Sequence, residues 1–327
     1  MRLSLGEAET LCADAAMAAG ALPQTAEALA RSVVEAEARG NRAVGLAHMV
    51  DYLEALRAGR LDGQAMPTLT RPAPVFTVSD AGGGAAHTGF HQALPHLIET
   101  ARALGCAVFA GRNAFTCGAL GHFVQPFAEA GLVALAATNG PALMAVEGGS
   151  KPVFCTNPLA FAAPRGSAPP ILFDQASSAT AFVSLRERAA RGERLPPGWA
   201  IDAEGRPTTD PAAALRGALV AFGGSRGANI ALMVEVLSAG LTGARWSLDA
   251  PSFSQGGDCP ATGLFVLALD PACVDPGFAE RMQDHAVRLA RGGVHLPGEA
   301  GARAQAQAAR EGLDVDPALV ERIRAFG

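Results

Sequence analysis

CAVFAGRNAFTCGALGHFVQPFAEAGLVALAATN, residues 106–139, is the stretch on which the fold turns. It opens on a β-like run, CAVFAGR (106–112), and closes on another, LVALAATN (132–139). Between them GALGHFVQPFAEAG (118–131) spaces its apolar residues as a helix does. A strand, a helix and a strand in succession place the chain in the mixed α/β class. No G-x-G-x-x-G follows an early strand, so a dinucleotide fingerprint is missing. GGSRGAN (223–229) is rich in glycine but comes late, after LVAF, and alone is a weak phosphate-loop signal.

Working outward, NPLAFAAP (157–164), PILFD (170–174) and GLFVLALD (263–270) read as further strands. SATAFVSLRERAARG (178–192) and ANIALMVEVLSAGL (228–241) read as helices, and the tail from 275 is helical again. At the other end, LGEAETLCADAAMAAG (5–20), TAEALARSVVEAEARG (25–40) and AHMVDYLEALRAG (47–59) are three helices, each closed by glycine. RLDGQAMPTLTRPAPVF (60–76) is a turn-rich connector. The regular βαβ cadence of a doubly wound parallel sheet is absent. The chain divides into an N-terminal helical part (1–72), a mixed α/β part (73–225) and a C-terminal part (226–327) that packs back on the helices.

The 327 residues, 49% hydrophobic, suffice for two intimate domains or one large one with a subdomain. A net charge of −5 without a basic block argues against nucleic acid as a partner. The six cysteines form no CxxC pair, which fits buried thiols in a reducing cytoplasm. No His/Cys/Asp cluster recurs at metal-ligand spacing, so no metal is expected. The N-terminus lacks the basic start and cleavage site of a signal peptide, and no run of about 20 apolar residues points to a membrane. A cytoplasmic protein is expected.

Four stretches narrow the function: GLVALAATNGPALMAVEGGSKPVFCTNPLAFAAPR (131–165), PPILFDQASSATA (169–181), LPPGWAIDAEGRPTTDP (195–211) and FGGSRGANIALMVEVLSAGLTGA (222–244). In this order and spacing the chain resembles the type-2 malate/L-lactate dehydrogenase family of NAD(P)-dependent oxidoreductases. The fourth stretch is most similar to the reductases of the cyclic imino acids Δ1-piperideine-2-carboxylate and Δ1-pyrroline-2-carboxylate. The resemblance runs from the N-terminal helices to HLPGE (295–299). It implies a cofactor domain on a largely antiparallel, non-Rossmann sheet and a helical domain formed from both chain ends. It also implies a homodimer with its site near the subunit interface, NAD or NADP as hydride carrier, and a small carboxylate substrate.

Carried over residue by residue, the resemblance assigns cofactor contacts to Thr116, Thr156, Asp174, Gln175, Ala176, Ser177, Ser178, Ser225, Arg226, Gly227, Pro297, Gly298 and Glu299. Asp174 ends a strand, and Ser177 and Ser178 are expected to open a helix. Hydroxyls and free N–H groups there suit an anionic or ribose-bearing ligand; plain capping is the competing reading. Arg226 stands between glycines where relatives usually carry lysine, or is simply a solvated arginine. Glu299 reads either as an acceptor for a ribose hydroxyl or as a loop acid. TTDP (208–211) reads as a turn and helix cap.

The substrate side departs from the resemblance. Relatives carry Ser-His-Gly and then an arginine; here Ala43, Val44 and Gly45 stand in the triplet and His48 in the arginine's place. The aspartate that orients the family's histidine falls at Ser184, and a His-Phe-Gly segment becomes Thr116–Gly118. A ketone gaining hydride needs a proton on oxygen, and a general acid contributes about 10²–10⁴ in rate to such a step. An iminium already carries its proton, so an imino substrate tolerates Ala43 and Val44 better. His48 reads in three ways: the relocated acid, a contact to carboxylate or cofactor, or a helical histidine packed beside Tyr52. His48, Arg112 and Thr116 are the substrate-side candidates, with Arg42, Arg186 and Arg188 as further cations. His122 reads as packing, and His87 and His91 flank TGF without a partner acid. The expected function is an NAD(P)-dependent oxidoreductase on a 2-oxo, 2-hydroxy or cyclic imino acid. A cofactor-binding pseudoenzyme with a regulatory or scaffold role is the alternative.

Overall fold

The structure, a computed structural model, describes residues Met1–Gly327. Its spine is a seven-stranded sheet in the order β2 (Thr68–Ala73), β3 (Phe76–Asp80), β4 (Cys106–Ala114), β12 (Thr262–Leu269), β5 (Val133–Thr138), β7 (Leu159–Arg165), β8 (Ala168–Gln175). Only β3 and β4 run parallel; all other neighbours in this sheet are antiparallel. Alternate residues therefore face opposite sides. Phe109, Val266, Ala134 and Ala136 meet α4 (Ala86–Leu104) and α5 (Gly121–Glu129), whose Phe90, Phe123 and Phe127 fill that core. The small alanines of β5 and β7 leave room for these rings. Val108, Ala137 and Phe265 face the other way, toward Val234 of α8 (Ser225–Glu235) and the π-helical turn Val236–Gly240 that follows it.

A second layer is helical. α1 (Leu5–Ala18), α2 (Pro23–Ala38) and α3 (Leu46–Arg57) bury an Ala/Leu/Val seam with Met49, Tyr52 and Leu53. α10 (Glu299–Glu311) and α11 (Pro317–Arg324) return to this seam, and β1 (Arg2–Leu3) pairs antiparallel with β13 (Leu313–Asp314). α2 also packs on α4 and α5, joining the helices to the sheet. A small sheet, β10 (Pro207–Thr208), β9 (Ala200–Ile201), β11 (Ala218–Val220), β6 (Met144–Ala145), carries α6 (Phe182–Arg191) and α7 (Pro211–Arg216). α9 (Phe278–Arg291) lies against β7. No helix is long and apolar enough to cross a membrane.

Two features differ from the sequence reading. The supposed connector 60–76 contains β2, which hairpins onto β3. Pro72 is tolerated there because β2 is an edge strand, where a missing N–H leaves no ladder bond unmade. Ser177 and Ser178 do not open a helix: α6 starts at Phe182, with Ala181 as its cap residue. Both serines are instead tied across the chain, Ser177 to Thr156 and Asn157, Ser178 by a bridge to Ala221. The strand read at GLFVLALD forms as β12 and supplies the middle of the large sheet. At TTDP, Asp210 caps α7 by accepting from the Ala212 N–H.

Candidate active site

The site's first wall is the start of α3. A short 3-10 turn, Arg42–Val44, leads into Gly45, where a Cβ would fall 2.3 Å from Glu37 Oε2. Glycine eases the close approach of this turn to α2, where a Cβ would also fall 3.1 Å from Glu37 Cα, and Glu37 accepts from the first N–H of α3, Leu46, at 3.0 Å. Ala43 and Val44 are half-buried and carry no titratable group. One turn on, the side chain of His48 is 16% exposed. Its Nδ1 lies 2.9 Å from Asp51 Oδ2, while its Nε2 is buried with no partner. The Tyr52 ring meets the imidazole edge-on at 4.6 Å, and the Tyr52 hydroxyl is likewise buried and unpartnered. Both face Gly118, held at φ +59°, where a Cβ would lie 2.9 Å from Tyr52 Oη and 3.9 Å from His48 Cδ2. A larger residue at 118 would fill the space over the phenol and the imidazole. Thr116 sits half-buried on the same turn.

α6 reaches this wall through Arg186, 3.8 Å from Asp51 Oδ1. Burial works against the charge of Asp51. Its hydrogen bond to His48, with His48, Arg186 and Arg322 nearby, nevertheless holds it below the usual carboxylate range. Ser184, half-buried on the same helix, offers no carboxylate.

The second wall is the end of the large sheet. Asp174 Oδ2 accepts from the Gly121 N–H at 3.0 Å, at the start of α5. Burial pushes its carboxyl up to about 6, against the N–H groups of Gly121 and Leu120. Pro297 O accepts from the Leu172 N–H, and Gly298, at φ +94°, packs where a Cβ would fall 2.8 Å from that nitrogen. Glu299 is paired with Arg165 at 2.8 Å. Asp174 and the 297–299 loop thus meet the same strand, β8. Gln175 is exposed and Ala176 half-buried beside them.

From Ser178 the bridge to Ala221 leads to Gly223 and Gly224, both at positive φ, and then into α8. A cavity of about 600 Å³ opens here, lined by Glu147, Ala179, Val220, Ala221, Gly223 and Gly224. Glu147 accepts from the Ser225 N–H at 2.9 Å. Gly227 admits no side chain, since a Cβ would fall 2.1 Å from Phe222 O; Arg226 is exposed. Thr156, Ser177, Ser178 and Ser225–Gly227 therefore lie along one connected path. Arg112 stands apart from it, bonded through Nε to Asp80 at 3.0 Å, and Asn113 holds the same carboxylate.

Sequence reasoning missed one cluster. His122 meets Glu35 Oε2 through Nδ1 at 2.5 Å and His91 through Nε2 at 2.7 Å. If Glu35 accepts from Nδ1–H, the Nε2 of a neutral His122 accepts in turn and His91 donates. Burial, then the neighbouring His122 and Arg31, press His91 down to about 4. His87, fully buried beside His122, is pushed well below the usual imidazole range by burial and its histidine neighbours. Asp51, at i+3 from His48, was the one partner that helical spacing could have disclosed.

The sequence profile of the malate/L-lactate dehydrogenase family matches residues 3–324. The Δ1-pyrroline-2-carboxylate reductase of Ancylobacter novellus is 37% identical, covering 100% of this chain and 98% of its own. The (2R)-3-sulfolactate dehydrogenase (NADP(+)) of Chromohalobacter salexigens is 38% identical, covering 99% and 97%. Among solved structures, the Δ1-piperideine-2-carboxylate reductase of Pseudomonas syringae pv. tomato superposes with a TM-score of 0.95 at 34% identity, over 100% of both chains.

Proposed function

The chain belongs to the malate/L-lactate dehydrogenase family, and from that premise we propose how its own residues serve the reaction. It is an NAD(P)-dependent dehydrogenase or reductase. The proposed substrate is a small 2-oxo or 2-hydroxy acid or a cyclic imino acid. Relatives named for Δ1-pyrroline-2-carboxylate and for 3-sulfolactate support both ends of that range.

The residues present fit a dinucleotide. A cavity of about 600 Å³ lies beside the start of α8, lined by the glycines and Glu147 next to the carried-over positions rather than by those positions themselves. Gly223 and Gly224 let backbone approach a dinucleotide closely, and Gly227 keeps the first turn of α8 compact. Thr116, Thr156, Asp174–Ser178, Ser225–Gly227 and Pro297–Glu299 would hold it, on the sheet read here as a non-Rossmann platform. When bound, NAD or NADP supplies or accepts the hydride. Arg112 and Thr116 are proposed for the substrate carboxylate: within the protein the Nη groups of Arg112 make no hydrogen bond, and its side chain is half-exposed.

His48 is proposed as the acid in place of the family's histidine, whose position Val44 takes. One observation carries this reading: the Nε2 of His48 is buried without a partner, while its Nδ1 is already satisfied. A buried polar atom left unpaired costs about 1–3 kcal/mol, which a substrate oxygen would recover. We further propose a cytoplasmic homodimer. The test follows oxidation of NADH and of NADPH with a panel of 2-oxo acids and cyclic imines. Turnover of at least one panel member is expected. His48→Ala should abolish ketone reduction and leave cyclic-imine reduction largely intact. A variant as active as the parent on both substrates would remove His48 from the chemistry. A rise in melting temperature with dinucleotide but no turnover would reject the proposed substrate class.

A further inference from the structure

We propose that Asp51 is the positioning residue of a relocated proton relay in which His48 meets the substrate. The inference rests on the reading of His48 above and adds the group that makes its imidazole a usable donor. A neutral imidazole in water carries its proton on either nitrogen, and a general acid needs a defined one facing the substrate. Asp51 and His48 are three residues apart on α3, so one helical turn brings them together with no help from another element. The carboxylate can only accept, so Nδ1 must be the nitrogen that donates to it. Nε2 is then left to carry and release the exchanged proton, on the side of the imidazole that Gly118 passes.

Of the seven histidines, only His48 combines a carboxylate on one nitrogen with a buried, unpartnered second nitrogen. His122 has both nitrogens engaged, by Glu35 and His91. His87 is fully buried and has no carboxylate to orient it. The surroundings of Asp51 favour its anion: Arg186 approaches from α6 and Arg322 lies near from α11. α6 is the helix on which the resemblance expects an orienting aspartate, at Ser184. Here the carboxylate has moved to α3 and α6 presents a cation to it instead.

The step balances as follows. The carbonyl carbon of a 2-oxo acid takes a hydride from the reduced cofactor the family uses, and the C=O π pair moves onto oxygen. The Nε2–H bond of the His48 imidazolium breaks and the proton forms the new O–H bond. His48 is left neutral with Nδ1–H still on an ionised Asp51, and solvent returns the proton to Nε2. A cyclic iminium reaches its amine without this transfer.

The test compares Asp51→Leu, Asp51→Asn and His48→Ala with the parent, each checked for an unchanged melting profile. In the free protein, ¹⁵N shifts of the His48 ring read the neutral tautomer. Nδ1–H is expected in the parent and in Asp51→Asn, whose amide oxygen still accepts, and Nε2–H in Asp51→Leu. With dinucleotide present, Asp51→Leu should lower kcat for a 2-oxo acid by about 10²-fold, leave KM within about threefold and spare the cyclic imine. Asp51→Asn should recover part of kcat. An unchanged tautomer in Asp51→Leu, or equal losses on both substrates, overturns the proposal. If His48→Ala abolishes ketone reduction while Asp51→Leu does not, Asp51 alone is dismissed. If His48→Ala changes nothing, it is the reading of His48 that fails.

Discussion

Asp174 and His91 pull stability in opposite senses over the same stretch of pH. Burial raises Asp174 from 3.8 to about 6, so between those values the folded protein holds a proton that the unfolded chain has released. Its contribution is complete below 3.8 and is lost as pH rises through about 6. His91 is depressed from 6.5 to about 4, so over that interval the unfolded chain binds a proton that the folded protein refuses. Its contribution is complete above 6.5 and is lost as pH falls through about 4. His87, whose shift also begins with burial, acts in the same sense as His91. The lowered carboxyl of Glu35, opposed by burial and held down by His122, adds to that side. The parent should therefore gain stability as pH climbs from about 4 to about 6.5. Asp174→Asn removes one opposing group, Glu37 being another that burial raises, and should steepen that climb; His91→Gln should flatten it. Urea midpoints measured across this range test both, and slopes identical in all three proteins would contradict the assignment.

Among the elements, β12 is the one whose packing is least forgiving. Gly263 near its start lies under the π-helical turn, where a Cβ would fall 1.6 Å from Ser238 O. Its N–H donates to Asn139 Oδ1 at 2.9 Å, so the strand cannot withdraw without breaking that bond. Gly263→Ala therefore sets backbone against backbone and should cost about 3 kcal/mol or more. Gly166, in the turn joining β7 to β8, has nothing within 4 Å of a Cβ but sits at φ +55°. Gly166→Ala should cost about 1 kcal/mol, the strain of a left-handed L-residue alone. Thermal melts rank the two, and a larger loss from Gly166→Ala would refute the packing argument. The same contrast between local and tertiary causes explains what could be read from the sequence. α1–α3, α5, β4, β5, β7, β8 and β12 were legible because apolar spacing or a continuous apolar run marks each one. β2 was not, because Pro72 and Pro74 announce a turn and nothing local says that one edge of the strand is free. α4 was missed although Phe90, Ala93, Leu97 and Ala101 are spaced as one helical face, because His87, Gly89, His91 and Pro95 interrupt the run. Ser177 and Ser178 resemble a cap in sequence because a hydroxyl serves a helix start and a cross-chain tie equally well. At the site, the place of His48 at the start of α3 was readable. The Glu35–His122 bond was not, since it joins residues 87 apart.

For the molecule as a whole, the largest question is what covers α8. Leu232 (51% exposed), Val236 (50%), Leu241 (50%), Trp246 (46%) and Leu248 (69%) succeed one another along α8, its π-helical turn and the segment beyond. Leu232 and Val236 are one turn apart on one face, and Trp246 folds back against Gly240 at the same end. An exposed apolar face of this kind is one that a protein–protein contact can cover. The proposed homodimer gives it an occupant: two copies meeting there would bury the same side chains from each. α8 also begins at Ser225–Gly227, beside the cavity proposed for the cofactor, so the subunit contact would brace the helix whose first turn must stay in place. Leu232→Asp combined with Val236→Asp should halve the mass seen by sedimentation while leaving the far-ultraviolet spectrum of the fold intact. Dinucleotide affinity should weaken together with the loss of mass, because the brace on α8 goes with the partner. A folded double variant that keeps the parent's mass would exclude this face as the contact. A parent that sediments as a single chain would exclude the dimer itself and leave the exposed leucines and tryptophan to another occupant.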